Sequence, residues 1–227
     1  MTSLFDEPTR DPLDFNRTPA WCVELLIPEL GQPKTILDAG CGDGAIGKVL
    51  RQAFPEATIV GVETDYARWY AAENATGKGG QRVYDRAHDS DWTAIGTRAA
   101  ADLIISNPPF GLMALDFLKC ALARVRPGGT VAFLLPTHWD HDPDTKTEFA
   151  RQRFLDSIRL PDGREGYTKL AIVGGGPNPC RPSFRGGSST ATDRYAWFMF
   201  GEPWAGKPSK RLHAIPPAVA STQLEIP

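Results

Sequence analysis

Formal net charge is only −2 over 227 residues. The chain as a whole is therefore not the strongly basic kind that holds nucleic acid by charge alone. Cysteine is scarce: the four, at positions 22, 41, 120 and 180, are scattered, and no two stand at a zinc-ligand or redox spacing. They read as reduced thiols of a cytoplasmic protein, with Cys41 a small filler between glycines. Histidine is equally sparse, at 88, 138, 141 and 213. His138 and His141 are near each other, but Trp139-Asp140 between them and Asp142-Pro143 after them mark a solvated loop, so no metal is expected. No run of about 18 apolar residues occurs, so no membrane-spanning helix is expected. The first 17 residues are polar and acidic, unlike the basic-then-apolar pattern of a secretory signal.

The small net charge hides an uneven distribution. Residues 1–145 hold 13 basic and 20 acidic side chains, and residues 146–227 hold 12 and 7, so the halves carry −7 and +5. Such asymmetry points to a polyanion against the second half, or simply to a solvated basic surface.

Residues 1–17 read as a flexible lead. Thr18-Pro19 reads as a helix start, with a threonine cap and proline in the first turn; Trp21, Val23, Leu25, Leu26 and Leu30 give its apolar face, and Gly31 ends it. Short apolar strands are expected at residues 36–37, 58–62, 81–84, 103–105 and 130–135. Helical periodicity fills 46–54, 65–74 and 112–125. The order alternates strand and helix, which gives an α/β fold with a mostly parallel, doubly wound sheet. Residues 140–153 are charged, irregular or a short helix, and 154–160 read as strand or helix end. Two more strands are expected at 169–173 and 195–200, around a Gly- and Pro-rich loop. Residues 203–227, with five prolines, read as a disordered or extended tail.

Two motifs carry chemistry. Asp38-Ala39-Gly40-Cys41-Gly42-Asp43-Gly44 follows a strand and opens a helix, and glycines there let backbone approach a ligand closely. The spacing is Gly-x-Gly-x-Gly, not the Gly-x-Gly-x-x-Gly of dinucleotide sites. Asp38 would repel a pyrophosphate and attract a cation. Glu63 ends the next strand, where a carboxylate suits two ribose hydroxyls. The second motif is Asn107-Pro108-Pro109-Phe110, directly after the apolar run Leu103-Ile104-Ile105-Ser106. It places an amide and stiff backbone at the mouth of the sheet, where open α/β sheets bind ligands.

In this order the two motifs resemble the class I S-adenosylmethionine-dependent methyltransferases, in the branch that methylates planar amino groups. The resemblance implies a Rossmann-like sheet of seven strands with an antiparallel C-terminal hairpin. It implies a methyltransferase domain over 18–202, with substrate-facing insertions and loops in 140–194 and a proline-rich tail over 203–227. S-adenosylmethionine is the implied cofactor, held at Asp38, Gly40, Gly42, Gly44 and Glu63. An acid after the third strand, Asp89 or Asp91, would accept from the adenine amine. Asp91-Trp92 resembles the family's acid-aromatic pair better, with Trp92 packed on the adenine ring. Thr18 and Pro19 would lie beside the methionine carboxylate, although helix capping explains them equally well. Asn107, Pro108, Pro109 and Phe110 are the implied catalytic residues.

Arg181-Pro182-Ser183-Phe184, with Arg185 and the later Tyr195-Ala196-Trp197-Phe198, resembles small phage- and prophage-encoded DNA adenine methyltransferases. That implies a nucleic-acid partner, with DNA the leading reading, gripped by Arg181, Ser183, Phe184 and Arg185, with further cations at Arg151, Arg153, Arg164, Lys169 and Arg194. Methylation of RNA or of a protein glutamine stays open, as does a non-catalytic cofactor-binding protein.

Overall fold

The computed structural model describes residues 16–94, 101–109, 112–141, 146–173 and 195–213. In chain order these form α1 (Ala20–Glu24), β1 (Thr35–Ala39), α2 (Ala45–Ala53), β2 (Thr58–Glu63), α3 (Tyr66–Glu73), β3 (Arg86–Asp89), β4 (Ala101–Ser106), α4 (Leu112–Leu122), β5 (Val125–Pro136), α5 (Lys146–Ser157), β6 (Tyr167–Val173), β7 (Tyr195–Phe200) and β8 (Lys210–His213). The strands make one sheet in the order β3-β2-β1-β4-β5-β7-β6-β8. Only β7 runs against its neighbours, β5 and β6. Among the described residues no helix is long and apolar enough to cross a membrane.

Strand periodicity divides the core. Leu103 and Ile105 pack on the face covered by α1, α2 and α3, while Ile104 packs on the face covered by α4 and α5. The chain winds outward from β1 through β2 to β3, then returns to the other side of β1 as β4. The carboxyl ends of β1 and β4 are thus adjacent at the point where winding reverses, the place where such sheets open a crevice. Asp38 pairs in register with Ile105, and Ser106 Oγ donates to the Ala39 carbonyl at 2.6 Å. Loops leaving these two strands therefore start side by side.

The doubly wound, mostly parallel sheet is as the sequence indicates, but among the described residues it has eight strands rather than seven. β8 lies in the stretch read as tail, and Trp204 just before it is buried. A four-residue edge strand with only Leu212 buried carries almost no alternation to read. The third strand is likewise later than expected: residues 81–84 pass through a loop that buries Val83 and Tyr84, and β3 follows at Arg86–Asp89, largely polar because it is an edge. The helix after Asn107 stops at Leu122, and β5 begins before Pro127-Gly128-Gly129, whose residues are accommodated by a register shift against β4. Residues 146–157 are helix.

The first helix is shorter than its apolar pattern. It ends at Glu24 and a 3₁₀ turn follows over Ile27–Glu29, because Pro28 cannot donate to the Glu24 carbonyl and would clash with it. Thr18 is not its cap. Pro19 occupies that position, without any side-chain capping bond.

Candidate active site

The glycine loop wraps the end of β2. Gly40 and Cys41 N–H donate to the Val62 carbonyl at 2.8 and 2.9 Å, and Gly42 N–H donates to Glu63 Oε2 at 2.9 Å. Gly40, Gly42 and Gly44 have φ of 69°, 56° and 84°, left-handed values that strain a residue with a side chain. A Cβ on Gly40 would also stand 3.3 Å from the Phe117 ring.

Beneath the loop stands a side chain that sequence reasoning missed. Tyr84 is buried, and its hydroxyl donates to Asp38 Oδ2 at 2.6 Å. A Cβ on Gly47 would fall 2.4 Å from the Tyr84 ring, and one on Gly61 3.2 Å from it. Glycines inside a helix and a strand were the available signal for a large neighbour. Asp38 is fully buried, and that burial lifts its pKa to about 7; the Tyr84 hydrogen bond opposes the rise and nearby Glu63 adds to it. Burial pushes the Cys41 thiol up as well, so it stays protonated as a small filler.

Glu63 is nearly buried at the tip of β2. Its Oε1 accepts from Thr64 and Asp65 N–H, both at 3.0 Å. With Gly42, three N–H donors fix the carboxylate between the glycine loop and the start of α3. Asp89 lies beside it, paired with Glu63 in register and exposed.

Trp92 is placed differently from expectation, and Asp91 is partly engaged. Asp91 Oδ1 accepts from both the N–H and the hydroxyl of Thr93, each at 2.8 Å, closing a tight turn. Trp92 is 2% exposed. Its indole donates to the Phe117 carbonyl at 3.2 Å, packs against the Phe117 ring and lies under Arg124 at 4.8 Å. The ring is consumed by packing against α4 and offers a cofactor no open face. Its buried indole fits the core role of tryptophan, whose N–H needs a partner.

Asn107 follows β4, half-buried, with Pro108 buried behind it. Its Nδ2 donates to the Asn16 carbonyl and to Thr18 Oγ1, both at 3.0 Å. Both amide hydrogens are thereby used, which leaves Oδ1 as the acceptor. Arg17, between those two partners, reaches Asp43 in the glycine loop at 2.9 Å. Phe110, Arg181, Ser183, Phe184, Arg185 and Arg194 lie outside the described residues. Of the other cations read as strand-gripping, Arg164 pairs with Asp162 and Lys169 with Asp140, each at 2.7 Å. Arg151 stacks over Trp139, and Arg153 is exposed.

The acidic groups fit a ligand with a positive charge and a pair of hydroxyls. Asp38 Oδ1 is buried and has no hydrogen-bond partner among the described residues. Burying carboxylate oxygens unpaired is costly unless a cation arrives. With this sheet order, a glycine loop of this kind and an acid ending β2, the architecture is that of a class I S-adenosylmethionine-dependent methyltransferase. The chain belongs to the Methyltransferase small domain family, which it matches over residues 21–157. S-adenosylmethionine is the cofactor of that class.

Over 120 residues the chain is 31% identical to a trans-aconitate 2-methyltransferase of Streptomyces avermitilis, covering 50% of this chain and 44% of the relative. Over 140 residues it is 24% identical to ribosomal RNA large subunit methyltransferase G of Pseudoalteromonas translucida, covering 58% and 37%. The chain thus spans less than half the length of these curated relatives. A solved structure from Listeria monocytogenes, assigned to the class I S-adenosylmethionine-dependent methyltransferases, superposes with a TM-score of 0.56 at 16% identity, covering 86% of this chain and 65% of that one. That likeness speaks to the fold.

Proposed function

We propose that this protein transfers a methyl group from S-adenosylmethionine to the exocyclic amine of adenine in DNA. The observation that carries the reading is the setting of Asn107. With both Nδ2 hydrogens given to Asn16 and Thr18, Asn107 keeps Oδ1 as an acceptor, and the Pro108 carbonyl is proposed as the second. Two acceptors repel a carboxylate and suit an NH₂ group. This favours a planar amine over an acid such as the one named for the trans-aconitate relatives.

The cofactor, when bound, supplies an electrophilic methyl group on a positively charged sulfur. Asp38 and the loop glycines would hold its methionine part, Glu63 its ribose hydroxyls, and Asp89 or Asp91 its adenine amine. An aromatic amine is a weak nucleophile because its lone pair is delocalised. Asn107 Oδ1 and the Pro108 carbonyl would accept hydrogen bonds from its two N–H groups and draw the nitrogen toward tetrahedral geometry, freeing the lone pair to form the N–C bond as the S–C bond breaks, after which the cationic nitrogen releases one proton to solvent. Positive charge grows on that nitrogen during attack, so these acceptors bind the transition state more tightly than the ground state. Proline stiffness keeps the acceptors aligned. Phe110 would stack on the flat base. A base in a duplex must first be turned out of the stack, and Arg181, Ser183, Phe184 and Arg185 are proposed to hold the strand.

The ribosomal RNA relatives favour a second reading, a base in RNA. Radiolabelled methyl transfer to duplex DNA, RNA and protein offered in parallel separates the readings. We expect label in DNA and N6-methyladenine in its nucleoside digest. Label confined to RNA supports the second reading, and label confined to protein glutamine, or none at all, contradicts both.

A further inference from the structure

Residues 16–18 have no role in helix capping, yet each is committed. Thr18 is 5% exposed, and its Oγ1 receives Asn107 Nδ2 at 3.0 Å. The Asn16 carbonyl receives the other hydrogen at 3.0 Å. Arg17 points to the glycine loop and pairs with Asp43 at 2.9 Å. Just downstream, the buried Trp197 indole donates to the Cys22 carbonyl at 2.9 Å and fastens α1 to β7.

A carbonyl oxygen can only accept. Turning the Asn107 amide over would set Oδ1 against the Asn16 oxygen with no hydrogen between them. The Asn16 carbonyl therefore selects one amide orientation, and Thr18 saturates the second hydrogen so that the group cannot swing. We propose that residues 16–18 are a positioning strap for Asn107, with Thr18 acting through Asn107 rather than as a ligand of the cofactor's methionine carboxylate. The strap also crosses from the catalytic amide to the glycine loop, so one short segment sets both halves of the site. This inference rests on the reading of Asn107 as the acceptor of the target amine.

Thr18→Val removes the hydroxyl at nearly constant shape, and Thr18→Ser restores it. The first readout needs no substrate: the Asn107 side-chain amide hydrogens, assigned by their loss in Asn107→Asp, should exchange at least about 10-fold faster in Thr18→Val than in the wild type or Thr18→Ser. With whichever substrate the wild type methylates, kcat in Thr18→Val should fall about 10-fold or more, because small misplacements of a reacting group are costly. Affinity for S-adenosylhomocysteine by calorimetry should stay within about twofold, since neither Asp38 nor Glu63 is touched. Unchanged exchange and unchanged kcat in Thr18→Val would overturn the strap. So would a loss of cofactor affinity matching the loss of rate, which would make Thr18 a methionine ligand. If the wild type methylates no substrate, the reading of Asn107 as a catalytic acceptor falls, and the exchange rates alone then decide whether the strap holds the amide.

Discussion

Asp38 is proposed to hold the cofactor's methionine part, and through it cofactor binding would depend on pH. Its pKa rises from 3.8 to about 7 on folding because burial disfavours the charge. Across that interval the folded protein keeps a proton that the unfolded chain has released. Its contribution to stability therefore falls as pH rises through the window, and the cost is complete above about pH 7. A cation in the glycine loop reverses the preference and favours the carboxylate. Cofactor affinity should consequently climb with pH, and binding near pH ~6 should expel close to one proton, against almost none near pH ~8.5. Calorimetry in buffers of different ionisation enthalpy reads this directly; equal proton counts at both pH values would remove Asp38 from the site. Tyr84→Phe deletes the bond that holds the pKa down, so the transition should move to higher pH. Asp38 was legible because it begins a glycine motif. Tyr84 was not, since its partner is 46 positions away and only the three-dimensional fold joins them.

Element by element, legibility followed burial. β1, β2, β4 and β7 are buried on both faces and read as apolar runs, and Glu63 was correctly seen to end β2. β3 and β8 are edges, one face of each in water, and their sequences Arg86-Ala87-His88-Asp89 and Lys210-Arg211-Leu212-His213 conceal them. Leu30 and Trp21 gave a longer first helix than Pro28 permits. Charged edge strands also stop a sheet from adding further strands, so β8 closes the side that β6 would otherwise expose. Leu212 is its buried anchor, 7% exposed. Leu212→Ala should cost about 2 kcal/mol, the low end for a buried leucine, because an edge can partly collapse. A lower urea midpoint with an unchanged slope would show it. No shift would mean that β8 lies outside the cooperative unit.

At the scale of the whole molecule, acids of the first half offset two cations of the second, Lys169 with Asp140 and Lys210 with Glu29, while Arg159 with Glu165 at 2.7 Å and Arg164 with Asp162 pair within it. Composition could not reveal these pairings, which depend on folded proximity. Any phosphate grip is therefore proposed to rest on Arg181 and Arg185. Replacing both by alanine should flatten the slope of log affinity against log salt by up to about 2 units, while Arg164→Ala should leave it unchanged. An unaltered slope in the double variant would make that stretch a solvated surface. Asn107 is proposed to act on the transition state of amine methylation. Its most direct test is the turnover of Asn107→Ala, measured beside its affinity for S-adenosylhomocysteine. Turnover should fall by about 10²-fold or more, as when one well-placed polar group is lost, with cofactor affinity retained. Near-normal turnover in Asn107→Ala would contradict that role.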